Sequence, residues 1–335
     1  MMRKKRGFPS KRTIIYLTAL CLVALALALS GCIPKAEPEP PAAQERVILG
    51  FSQLGDESEW RTALSNDIRR AASRAGVQLV FDNAWQNQFN QFKAIRSFIL
   101  NGADVIAFSP IVEEGWDNIL EEAKAAEIPV ILVDRSIKTD DEGLYSAFIG
   151  PDFHREGMQA GEWMVQRFAE QEGPIKIAEI RGTEHASSTI GRRDGLREAL
   201  REHPQFEITL SVSGDFMRSK GRECMETILT EAPDIDILYA HNDDMALGAI
   251  EVMEKHGIQP GVDIIVVSID AQRSGLEALR QGKINCLIEC SPYIGDELMS
   301  LVLKIANGQP FPMYTYTEER MFTDEDDFET LPVRP

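Results

Sequence analysis

Cysteine is scarce in this sequence, with five among 335 residues. Cys21 and Cys32 lie in the first thirty-two positions, which leaves Cys224, Cys286 and Cys290 in the body. An odd trio with no zinc-like spacing excludes a disulfide framework and a structural zinc site. Cys286 and Cys290 stand four apart in an expected strand, too far along one face for easy bridging, so all three are expected as buried free thiols. Histidine is equally thin: His154, His185, His203, His241 and His256 are scattered without ligand-like partners. No nucleophile motif and no phosphate-binding loop occur. The reading is therefore not an enzyme, with no cofactor and no metal, although paired carboxylates leave a secreted carbohydrate-active enzyme as an alternative. Positive charge is short too, 35 Lys and Arg against 53 Asp and Glu, for a formal charge of −18. Such a chain is repelled by nucleic acid.

Long apolar runs are absent except one. Arg3, Lys4, Lys5, Arg6, Lys11 and Arg12 precede the run from Ile14 to Leu29, which closes on Leu29-Ser30-Gly31-Cys32. A basic head, a short apolar middle and small residues at the end make residues 1–31 a secretory signal peptide. By length, an uncleaved membrane anchor also fits. The ending resembles the lipobox of bacterial lipoproteins, which implies a lipidated Cys32 as the mature N-terminus. The protein is then extracytoplasmic and lipid-anchored to the cell membrane. Loss of the six basic residues moves the formal charge from −18 to −24. Residues 32–46, with four prolines, read as a stiff spacer between membrane and body.

The body is too long for one typical core, so two lobes are expected. Short apolar strands alternate with amphipathic helices, the pattern of a parallel sheet covered on both faces. The stretch 235–257, IDILYAHNDDMALGAIEVMEKHG, is the plainest unit. A buried strand runs into Asn242-Asp243-Asp244, and a helix follows that stops at Gly257. Ligands bind at the carboxyl ends of strands in such sheets. Polar residues recur there: Ser52-Gln53, Asp134-Arg135, Arg181, Asn242 and Asp270. As single junctions they read as caps or ion pairs; as a set they read as the lining of a cleft. The pattern restarts after Gly150-Pro151-Asp152, and the tail beyond Gly308 carries no regular signal. The expected class is α/β, two doubly wound parallel-sheet lobes.

GFSQLGDESEWR, FSP, IPVILVDRSI, RGTEHASSTIGRRDG, SGDFMRSKG, YAHNDDMALGAI and SIDA, spread over both lobes, resemble the type I periplasmic sugar-binding proteins of ABC transporters. The similarity is greatest to the galactofuranose-binding branch of that ribose/galactose-type family. It implies a three-segment hinge near Gly150 to Asp152, Glu289 to Ser291 and Pro310 to Thr317. The lobes would be 47–149 with 290–313, and 150–289 with 314–335. The resemblance places ligand contacts on Glu57, Trp60, Arg61, Asp134, Arg135, Arg192, Asn242 and Asp270, and further ones on Ser109, Phe216 and Glu289. Ala271 stands where relatives often have glycine. It also implies a monomer that carries a monosaccharide, galactofuranose or a related furanose or pentose, to an ABC transporter permease. A receptor partner of a sensor kinase is the alternative. The chemistry agrees: carboxylates accept from sugar hydroxyls, arginine donates in a rigid fork, asparagine does both, and an indole covers a C–H face.

Overall fold

The computed structural model describes residues 46–332. The signal peptide, Cys32 and all of the Pro-rich spacer before Arg46 lie outside the described residues. The first lobe runs β1 (Ile48–Gln53), α1 (Glu59–Ala75), β2 (Gln78–Asn83), α2 (Gln88–Leu100), β3 (Val105–Phe108), α3 (Asp117–Ala125), β4 (Val130–Val133) and β5 (Ala147–Gly150). The second runs α4 (Phe153–Arg167), β6 (Ile175–Arg181), α5 (Ser187–Leu200), β7 (Phe206–Ser213), α6 (Arg218–Glu231), β8 (Ile237–Ala240), α7 (Asp243–Lys255), β9 (Ile265–Asp270), α8 (Arg273–Arg280) and β10 (Cys286–Glu289). Then α9 (Gly295–Ala306), β11 (Tyr314–Tyr316) and β12 (Met321–Thr323) complete the fold.

Each lobe is one six-stranded sheet, ordered β11-β5-β4-β3-β1-β2 and β12-β10-β9-β8-β6-β7. The inner strands VIAF, VILV, ILYA and CLIE are buried at every position. That is why they read as continuous apolar runs: helices cover both faces of the sheet. The strand order reverses beside β1 in one lobe and beside β6 in the other, which opens a crevice at the strand ends. Helix α1 illustrates the local code. Ser58 caps it by accepting from the Arg61 N–H, and Gly76 ends it in the left-handed region at φ 70.

The chain passes between lobes three times. Helix α9 returns to the first lobe, where the Gly295 N–H donates to Asp67 at 2.8 Å. The third passage differs from expectation. Tyr314–Tyr316 pairs with β5 in the first sheet, so the division falls after Tyr316 rather than at 313/314, and the crossing covers Thr317 to Arg320. The tail is also not irregular, because both of its short strands extend existing sheets. The second sheet is not wholly parallel either, since β12 pairs antiparallel with β10. The crossings are laced together: Thr317 N–H donates to Gly150 O at 3.1 Å and Glu289 N–H to Arg320 O at 2.7 Å. Cys224, Cys286 and Cys290 are buried free thiols.

Candidate ligand-binding site

The lobes meet over a cavity lined by buried side chains. On one side Glu59 N–H donates to Asp244 at 2.7 Å, and the Ser274 hydroxyl donates to Glu59. On the other, Glu113 N–H donates to His185 O at 2.9 Å and Ser136 N–H to Ser187 Oγ at 3.0 Å. About 280 Å³ of empty space lies between them.

The first lobe contributes the turn before α1 and the end of β4. Trp60, one residue into α1, is anchored by its indole N–H, which donates to Cys290 O at 2.6 Å. Arg61 donates to Asp134 at 2.7 Å and to Glu57 at 3.3 Å. Burial opposes its charge, but the two carboxylates outweigh that and hold its pKa above the ordinary value. Arg135 is less well compensated. It donates to Ile111 O at 3.1 Å and lies over the Phe216 ring, with Asp134 only at 3.9 Å. Burial and then the Arg61 cation push its pKa down to about 10.

The second lobe closes over these groups. Arg192 reaches in from α5, and its Nε donates to Glu156 at 2.6 Å. One terminal nitrogen donates to His241 O and the other lies 3.8 Å from Asp270. Burial opposes this charge too, yet Glu156 more than offsets it. Asn242 caps α7 by accepting from Met245 N–H at 3.0 Å and donates to Phe216 O at 3.2 Å. It is both a cap and a wall of the cavity. Asp270 ends β9, where burial drives its carboxyl well above the usual range. Asp134, Phe216 and Asp270 have φ of 69, 62 and 123. Such strained backbone concentrates where side chains are aimed at a ligand.

Nine of the expected residues line this one cavity: Glu57, Trp60, Arg61, Asp134, Arg135, Arg192, Phe216, Asn242 and Asp270. Three buried polar atoms of its lining have no hydrogen-bond partner among the described residues: Glu57 Oε2, Arg135 Nε and Ser188 Oγ. An acceptor, a donor and a hydroxyl are thus left for a molecule that offers both functions.

Residues 49–310 match the sequence profile of the periplasmic binding protein domain. The chain belongs to this family. Among curated relatives, the galactofuranose-binding protein YtfQ of Escherichia coli is 39% identical over 269 residues, which is 79% of this chain and 84% of that protein. A Mycobacterium smegmatis protein solved in complex with β-D-fucofuranose superposes with a TM-score of 0.82 at 46% identity, over 83% of this chain and 91% of that one. The binding protein of the arabinose ABC transporter from Shewanella sp. ANA-3, solved with α- and β-L-arabinofuranose, gives 0.80 at 38%, over 83% and 92%.

Other expected positions of this periplasmic binding protein lie outside the lining. Ser109 is buried at the end of β3, where its carbonyl accepts from Gln91 at 2.7 Å. Glu289 faces the crossings and accepts from Arg320 N–H at 3.1 Å and Nε at 3.0 Å. Gln53 bonds Ser65 at 3.0 Å, and Arg181 pairs with Glu184 at 2.6 Å. Ser52 is buried off the lining as well. The Ser52 and Ser109 hydroxyls have no hydrogen-bond partner among the described residues. The sequence reading missed Ser58, Phe153, Ser188 and Cys290 in the lining. The signal for Phe153 was an aromatic at the first helical position after Asp152, a place comparable to Trp60 after Ser58.

Proposed function

We propose that this protein captures a monosaccharide in its furanose form and delivers it to an ABC transporter permease. The supporting observation is the cavity between the lobes, with an acceptor, a donor and a hydroxyl that lack hydrogen bonds. Ring hydroxyls satisfy such groups in both directions, and Trp60 and Phe216 offer apolar plates to the C–H faces. The furanose assignment rests on the relatives. The protein acts outside the cytoplasm, anchored to the membrane by a lipid on Cys32, as a monomer. The eleven ligand positions then divide. Nine touch the sugar, whereas Ser109 and Glu289 support the walls.

Calorimetry with L-arabinose, D-galactose, D-ribose and D-glucose tests this. Arabinose, galactose and ribose, which all reach the furanose form in solution, are expected to bind better than glucose, which hardly does, and Asp134→Ala and Trp60→Ala to weaken them about a hundredfold. Full affinity in both variants, or preference for an amino acid, would sink the assignment. Membrane release of Cys32→Ser, read by fractionation, checks the anchor.

A further inference from the structure

Beside Arg192, at the edge of the cavity that Cys290 lines, three segments converge on one spot. Glu156 comes from α4, Cys290 from the second crossing and Glu319 from the third. One ligand-type atom of each lies within 4.8 Å of the others. Glu156 is wholly buried, and its Oε2 is taken by Arg192. Its Oε1 has no N–H or O–H donor other than what Glu319 can offer. Glu319 also accepts from the Thr317 hydroxyl at 3.0 Å. Two carboxyl groups brought within 4.8 Å of each other repel when both are ionised, which favours keeping a proton on one of them.

We propose that Glu319 carries that proton and donates it to Glu156, making the two glutamates positioning residues for Arg192 and linking sugar affinity to one proton at the crossings. The line runs Thr317, Glu319, Glu156, Arg192 and then the cavity. Arg192 is held on the other side by His241 O and Asp270. Close helix contact makes the line possible: a Cβ on Gly157 would stand 2.3 Å from Arg192 O, so only glycine lets α4 bring Glu156 to α5. The charged and titratable groups facing the pair are the Arg192 guanidinium from α5, Tyr239 from β8, Asp270 from β9 and the Cys290 thiol from the second crossing. Burial, and then the charge of Glu156 and the hydrogen bond with it, lift Glu319 to about 10.

The sign follows from that direction. A carboxyl raised in the native state gives its full favourable effect in acid, below the ordinary value, and loses it as pH rises through the raised value. With the proton gone, the buried Glu156 carboxylate and the half-buried Glu319 carboxylate repel, and Arg192 loses its fixed partner. This linkage rests on the cavity being the sugar site, so the test has one arm that needs no sugar.

Infrared difference spectra of wild type and Glu319→Gln at about pH 7 should differ by one protonated-carboxyl band, since the amide cannot hold the acid proton. Its absence would overturn the proposal whether or not any sugar binds. With L-arabinose, wild-type affinity should fall at least about tenfold from about pH 6 to about pH 10. Glu319→Gln donates an N–H to Glu156 in place of the O–H, so it should lie within about threefold of wild type at about pH 7 and stay flat. Glu319→Ala should be weaker throughout, by about tenfold. Parallel pH profiles for wild type and Glu319→Gln would overturn the linkage. So would zinc retained by wild type and lost from Glu319→Gln, because a metal ion would then occupy the proton's place.

Discussion

The two lobes share a topology and aim polar side chains from the same strand ends, but they balance charge differently. In the first, Arg61 sits between Asp134 at 2.7 Å and Glu57 at 3.3 Å. In the second, Asp270 has its nearest cation at 3.8 Å. Asp243, also buried, accepts from the Ser268 hydroxyl at 2.9 Å and the Gln272 N–H at 2.8 Å and has no cation against it among the described residues. Burial pushes Asp243 up to about 8. The first lobe therefore presents a prepaired half-site. The second presents Asp270, whose compensation depends on Arg192, and Arg192 depends on Glu156. One fold can thus carry a self-sufficient half-site and a dependent one, because strand-end placement sets position and the surrounding helices set charge.

Removing Arg192 should break the comparison most severely. Arg192→Ala leaves Glu156 and Asp270 buried without their cation, a defect of about 3–5 kcal/mol, so thermal unfolding should shift down by roughly 10 °C. A shift of under a degree would show that the second lobe does not depend on it. Next comes helix spacing. Gly157→Ala forces α4 from α5 and should cost about 1–3 kcal/mol in chemical denaturation. Because the strain falls on Arg192, sugar affinity should drop as well, while a stability loss alone would detach α4 from the site.

Alkali should separate the lobes more gently. Asp243 has a raised pKa, so its favourable effect is whole in acid and disappears as pH rises through about 8, by at most about 1.4 kcal/mol per unit. Hydrogen exchange, corrected for intrinsic rates, should show β8, α7 and β9 losing protection at a lower pH than β1 and α1. Simultaneous loss would erase the distinction. The smallest effect belongs to Ala271, which holds φ 53 beside Asp270. Ala271→Gly relieves a left-handed alanine and should stabilise by about 1 kcal/mol. An unchanged denaturation midpoint would mean that the strain is absorbed elsewhere.

Most of the architecture was legible before any coordinates. Ser58 and Gly76 bracket α1 because capping and left-handed termination depend on residues within a turn of each other. The buried strands announced themselves as apolar runs, and nine of eleven expected ligand positions line one cavity. Their family motifs preserve strand-end placement, which is a local property. What lay beyond the sequence depends on partners distant along the chain. Tyr314–Tyr316 and Met321–Thr323 are too short to show a period and are strands only because β5 and β10 offer open edges. Ser109 and Glu289 lie outside the cavity lining because the depth of a side chain below the cavity is set by packing. The Glu156–Glu319 contact existed only once α4 and the third crossing met. Local sequence determines which backbone groups are capped and which faces are apolar; the meeting of buried charges, and hence where a proton must sit, is decided by the tertiary structure alone, since desolvation belongs to the assembled surroundings.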